Sequence, residues 1–119
     1  MKELFNRVHE FLTFRQLDDL QVQAEKLVEE QQELWEALAI LQEDDTPENR
    51  HHFAEEAVDN IIVCAGLVAM LGEDGAEIFE QKMAINGVKY SLGDINNLIN
   101  QGFSPQEACH IMKDKYNGV

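Results

Sequence analysis

The chain has 119 residues, the length of one ordinary domain, and 45% of them are hydrophobic, enough for a packed core and too many for a disordered tail. Its net charge of −14 at pH 7 comes from 23 Asp and Glu against 9 Lys and Arg, a balance that repels nucleic-acid backbones and anionic membranes. No window reaches the ~18 consecutive apolar residues of a membrane span, and the amphipathic opening Met1-Lys2-Glu3-Leu4-Phe5 carries no apolar signal-peptide region.

Periodicity predicts helices throughout. Leu4 to Phe14 form a short first helix. A long second one runs from about Gln16 to Glu43, with a core stripe of Leu17, Leu20, Ala24, Leu27, Gln31, Leu34, Leu38 and Leu41 in steps of three and four. Thr46 and Pro47 are an N-cap and a first helical residue, opening a third helix that ends at Leu71. Its second half, from Ile61 to Leu71, is apolar on every side and predicts complete burial. Gly72 is a stop. A fourth helix follows from about Asp74 to Ile85, with Ile78, Phe79, Met83 and Ile85 inward, ended by Asn86-Gly87. Ser91 to Asn100 form a fifth, and Ser104-Pro105-Gln106-Glu107 caps a last helix to about Tyr116. The expected fold is a single all-α domain, a helical bundle.

Two acidic clusters stand out, Glu29-Glu30-Gln31-Gln32-Glu33 and Glu56-Ala57-Val58-Asp59. At about 100° per residue, and with Leu27 at zero, Glu30 lies at about −60° and Glu33 at about −120°. With Phe53 at zero on the third helix, Glu56 and Asp59 take the same two angles, about −60° and −120°. Each pair forms a ledge beside an apolar stripe, and an antiparallel pairing of the two helices lets the ledges face each other. Glu29 points further round. Asn60 falls near the apolar line through Phe53, Cys64 and Leu71, and so needs a polar partner. The first string alone also fits a solvated helix face. Glu56 and Asp59 are the more telling pair, because they lead into the most hydrophobic helix and ionised carboxylates there must be compensated. Arg50, Lys26 or Lys82 are the candidate counter-charges. Otherwise a divalent metal, Mg²⁺ above all, fills that need and invites a phosphorylated substrate.

At these residues the chain resembles the MazG-like all-α nucleoside triphosphate pyrophosphohydrolases. Their Glu-Glu-x-x-Glu and Glu-x-x-Asp pair is matched by Glu29, Glu30, Glu33 and by Glu56, Asp59. The run from Lys82 through Asn86 to Lys89-Tyr90 is similar to the family's segment after its fourth helix. The resemblance covers roughly residues 1 to 90. It implies a four-helix core, with residues 91 to 119 as a C-terminal helical extension of unassigned role. It also implies Mg²⁺-dependent cleavage of an NTP or dNTP to the monophosphate and pyrophosphate, with Mn²⁺ as a substitute. Glu30, Glu33, Glu56 and Asp59 would ligate metal, and Glu29 would add a ligand or orient the attacking water. Lys82, Asn86, Lys89 and Tyr90 would contact phosphate or sugar, and Lys26 is counted with them as a substrate-binding cation. A cytoplasmic homodimer or dimer of dimers is the expected assembly.

Two other readings use other residues. Glu48…His51 and Glu107…His110 are Glu-x-x-His strings, the formula of a di-iron carboxylate bundle. Both sit in first helical turns, poorly placed to project inward. An acidic helical adaptor without catalysis explains the charge but not the carboxylates entering the third helix. Trp35 and Phe14 read as core or interface residues, and Met70, Met83 and Met112 as packing. Cys64 and Cys109 read as reduced thiols, with a disulfide between them as the alternative.

Overall fold

The computed structural model describes residues 1–117. Among them are six helices and no strand: α1 (Lys2–Phe14), α2 (Leu20–Glu43), α3 (Pro47–Met70), α4 (Gly75–Lys89), α5 (Leu92–Asn100) and α6 (Pro105–Asn117). The chain divides into two compact units, residues 1–76 and the residues from Glu77 onward.

In the first unit α3 is central, with α2 and α1 packed against it. Its start follows from local chemistry. The Thr46 hydroxyl accepts from the Asn49 N–H at 3.2 Å, and Pro47 supplies a pre-set first residue. The loop from α2 is three residues long, which favours an antiparallel return. Cross-helix neighbours agree: Asn60 meets Glu30, while Gly66, further along α3, lies near Gln23, further back along α2. Glycine at position 66 has a packing reason. A Cβ there would come 2.7 Å from Leu12 Cδ1 and 3.4 Å from Val8 Cγ1, so the missing side chain lets α1 approach. Val8, Leu12 and Ala65 form the small core at that crossing, flanked by Leu4, Phe5 and Met70.

The second unit contains most of α4 together with α5 and α6, which pack on each other. The box that opens α6 forms as expected. The Ser104 N–H donates to Glu107 Oε1, and the Glu107 N–H donates to Ser104 Oγ, both at 3.1 Å.

Several expectations are corrected. Helix α2 begins at Leu20, not near Gln16. Gln16 adopts a left-handed φ of 55°, and the Asp19 carboxylate accepts from the Val22 N–H at 3.0 Å as the N-cap. Leu17 therefore lies outside the helix. The buried line on α2 is Gln23, Glu30 and Ala37, at heptad spacing, while Leu20 and Gln31 are exposed. The contact face is thus centred on the carboxylate ledge, and Leu27, Leu34, Leu38 and Leu41 are only half covered.

Nor is α3 buried on all sides. Val63, Ala65 and Gly66 are buried, but Cys64 and Ile62 are exposed, and Ile61 is 51% exposed. Two packing helices cover only part of a helix's circumference. Helix α4 runs through Asn86-Gly87 to Lys89, because Asn and Gly weaken a helix without stopping it. Ile78, Phe79, Met83 and Ile85, expected inside, are exposed. Trp35 and Phe14 are exposed, so neither is a core residue of the chain. Cys64 and Cys109 are free. Among the described residues, no helix is long and apolar enough to cross a membrane.

Candidate metal centre

The antiparallel α2/α3 pair brings three carboxylates together. Glu30, Glu33 and Glu56 each offer an oxygen, and these atoms lie within 4.8 Å of one another. Glu30 is 5% exposed, and the other two are half-buried. The helical angles set how the three approach the interface. The two residues at about −60°, Glu30 and Glu56, point into the interface, and Glu33 at about −120° stands at its edge. Asp59, at the equivalent edge of α3, is exposed and outside the group, as is Glu29.

Compensation for this charge is sparse. The Lys26 ammonium lies 3.3 Å from Glu30 Oε1, one turn before it on α2. Arg50 is committed elsewhere, with its guanidinium bidentate on the exposed Asp45. Glu30 Oε2 and Glu56 Oε2 are buried without a hydrogen-bond partner. Leaving a buried carboxylate oxygen unpartnered costs several kcal/mol in principle, about 1–3 kcal/mol even for neutral groups, so two at one place call for a cation.

The electrostatics carry the same imprint. The Glu30 charge, then desolvation and the Glu56 charge, hold the Glu33 carboxyl above its ordinary range. The hydrogen bond and attraction to Glu30 hold Lys26 above its own. An all-carboxylate donor set is hard and anionic, which suits Mg²⁺, Mn²⁺ or Ca²⁺ and disfavours thiophilic metals.

One polar residue binds the two helices at this point. The Asn60 side-chain amide donates to the Glu30 carbonyl at 2.9 Å and to the Glu56 carbonyl at 2.8 Å. The need for a partner at Asn60 is readable from its place on an apolar line; which partner is not, because that depends on the α2/α3 register.

The expected substrate residues Lys82, Asn86, Lys89 and Tyr90 all belong to the second unit, on α4 or directly after it. There the Lys89 ammonium lies 5.6 Å from the Tyr90 ring centroid and 5.3 Å from that of Tyr116 on α6. Tyr116 carries no signal in the sequence, since only the packing of the second unit brings it to Lys89. Lys26, expected at substrate, is the counter-ion of Glu30.

Two residues of the di-iron formula are otherwise engaged. Glu107 caps α6, and its hydrogen bonds to Ser104 hold its carboxyl below the ordinary range. His51 pairs with Glu55 at 3.2 Å on the exposed surface. Among the described residues, Glu30, Glu33 and Glu56 are the one group of three or more candidate ligands. Comparison with protein-family models, with curated proteins and with solved structures gives no match.

Proposed function

We propose that the chain is a Mg²⁺-dependent nucleoside triphosphate pyrophosphohydrolase with a MazG-like α-helical core. The observation that carries this reading is the meeting of Glu30, Glu33 and Glu56 from two helices, with two of their oxygens buried and unpartnered. Glu30, Glu33 and Glu56 hold the ion, and Asp59, one turn beyond Glu56, is the fourth carboxylate of the resemblance. Bound there, Mg²⁺ supplies neutralisation of the triphosphate and an acidified water for attack at the α-phosphorus. By the resemblance, Glu29, exposed and outside the group of three, would add a ligand or orient the attacking water. The resemblance assigns Lys82, Asn86, Lys89 and Tyr90 to phosphate and sugar.

The acidic ledge repels a bare triphosphate, so substrate binding depends strictly on the metal. The exposed apolar side chains of α3, Ile61 and Ile62 among them, are covered by a second copy in a homodimer or dimer of dimers. A panel of nucleoside triphosphates assayed for pyrophosphate release with Mg²⁺ tests the reading. Release from at least one nucleotide is expected, abolished by EDTA and by Glu56→Gln or Asp59→Asn with helical circular dichroism intact. Full activity in both variants, or tight triphosphate binding in EDTA, contradicts it.

A further inference from the structure

Asn60 stands at the start of the apolar half of α3, followed by Ile61, Ile62 and Val63. Its amide nitrogen donates to two main-chain carbonyls: Glu56, one turn earlier on α3, and Glu30, across the interface on α2. Both partners are acceptors only, so the amide's orientation follows from their chemistry. Neither carbonyl needs this bond. Both lie inside long helices, where a backbone N–H four residues on already serves each. Asn is also a weak helix former, because its side chain competes for backbone groups. Apart from this one tie between the helices, the fold gives no reason to prefer Asn60 to Leu or Ala. The two residues it ties by their backbones are, however, both members of the carboxylate cluster, and both carry a buried unpartnered oxygen.

We propose that Asn60 is the positioning residue of the carboxylate cluster: by holding the Glu30 and Glu56 carbonyls on one amide, it sets the α2/α3 register at which both side chains reach a single divalent cation. The inference rests on reading the cluster as a cation site. A slip of α3 along α2 by part of a turn leaves the helices packed but separates the Glu30 and Glu56 oxygens. Mg²⁺ tolerates little departure from its short metal–oxygen distances and octahedral angles, so ligand spacing decides affinity. Residues that orient metal ligands without touching the ion typically change affinity by about 10–100-fold when removed.

The test uses Mn²⁺ alone as the probe, titrated into the full chain by electron paramagnetic resonance, with thermal melting of the metal-free protein alongside. Wild type, Glu56→Gln, Asn60→Leu and Asn60→Ala are compared. Wild type binds, and Glu56→Gln binds at least about tenfold more weakly, if the cluster is the site. Asn60→Leu and Asn60→Ala are then expected to lose about tenfold or more in Mn²⁺ affinity, while the metal-free melting temperature of Asn60→Leu stays level or rises. A purely structural Asn60 predicts the reverse, a lower melting temperature with Mn²⁺ affinity kept. Failure of wild type to bind Mn²⁺, or of Glu56→Gln to weaken it, removes the cation-site reading itself. With those controls as expected, wild-type affinity in either folded Asn60 variant overturns the role of Asn60 alone. Loss of folding in both variants overturns it too, since the residue is then required for the fold.

Discussion

Glu56 and Asp59 are one turn apart on α3, yet only Glu56 shares the cluster with Glu30 and Glu33. The roughly 60° between them on the helix is the difference between the interface and its edge. Glu56 carries a buried oxygen without a hydrogen-bond partner, whereas Glu30 has the Lys26 ammonium beside it. Replacing Glu56 by Gln relieves repulsion from two neighbouring carboxylates. Glu56→Gln is expected to melt no lower than wild type in EDTA, and to lose the rise in melting temperature that Mg²⁺ gives wild type. A variant still stabilised by Mg²⁺ to the wild-type degree counts against the site.

Glu33 sets a pH dependence. Its carboxyl titrates above the ordinary range because Glu30 and Glu56 repel its charge. The folded state thus holds the proton more tightly than the unfolded chain, so this group's contribution favours folding at acid pH. That contribution is lost as pH rises through the raised pKa. Cation binding needs the proton gone, so apparent Mn²⁺ affinity falls as pH drops, beginning above the pH at which a free Glu titrates. A Mn²⁺ titration series from about pH 7.5 down to about pH 3.5, which brackets the ordinary Glu value of about 4.3, reads this out. Affinity constant across that range contradicts the coupling.

At the scale of elements, caps and turns follow the residues that specify them. Thr46-Pro47 and Ser104…Glu107 start helices as their side chains predict. The Asp19 cap competes for the same role nearer α2, and a helix beginning at about Gln16 overlooks it. Asp19→Ala is expected to cost about 1 kcal/mol, measured by urea unfolding. Gly66 makes the sharper case. A methyl there gains helix propensity, about 1 kcal/mol, but meets Leu12, itself only 5% exposed and short of room to move. Overpacking of this kind costs about 1–3 kcal/mol, so Gly66→Ala is expected to be destabilising on balance. A gain in stability places Leu12 less tightly than the structure has it.

The element scale also separates what the sequence reveals from what it does not. Helical angles bring the Glu30 and Glu56 ledges to face each other, because periodicity and a short loop suffice for that. The Leu stripe on α2 misleads about the centre of the contact. Periodicity finds an apolar face but not which side of it meets α3, and the side that does is the line of Gln23, Glu30 and Ala37. Burial of α3 is overread for a related reason: an apolar run does not say how much of a helix its neighbours cover, and α1 and α2 leave Ile61 and Ile62 exposed. Tyr116 beside Lys89 has no linear signal at all.

For the whole molecule, charge is unevenly shared. Residues 1–76 hold 18 Asp and Glu against 5 Lys and Arg, and the remainder 5 against 4, so 13 of the 14 net negative charges lie in the first unit. Self-repulsion there weakens folding in the absence of divalent ions, and monovalent salt screens it. Raising NaCl from low to moderate concentration in EDTA is expected to raise the melting temperature; a fall means that attractive ion pairs outweigh the repulsion. The half-covered leucines of α2 and the exposed isoleucines of α3 predict self-association, which light scattering over a concentration series reads as a mass of two or four chains. A monomer at every concentration contradicts that assembly.

The chemistry is tested most directly by hydrolysis of a nucleoside triphosphate in ¹⁸O-water with Mg²⁺, followed by ³¹P spectroscopy of the products. Attack at the α-phosphorus predicts pyrophosphate as the leaving group and the label in the nucleoside monophosphate. Release of orthophosphate, label in pyrophosphate, or no Mg²⁺-dependent hydrolysis of any nucleotide would contradict the account.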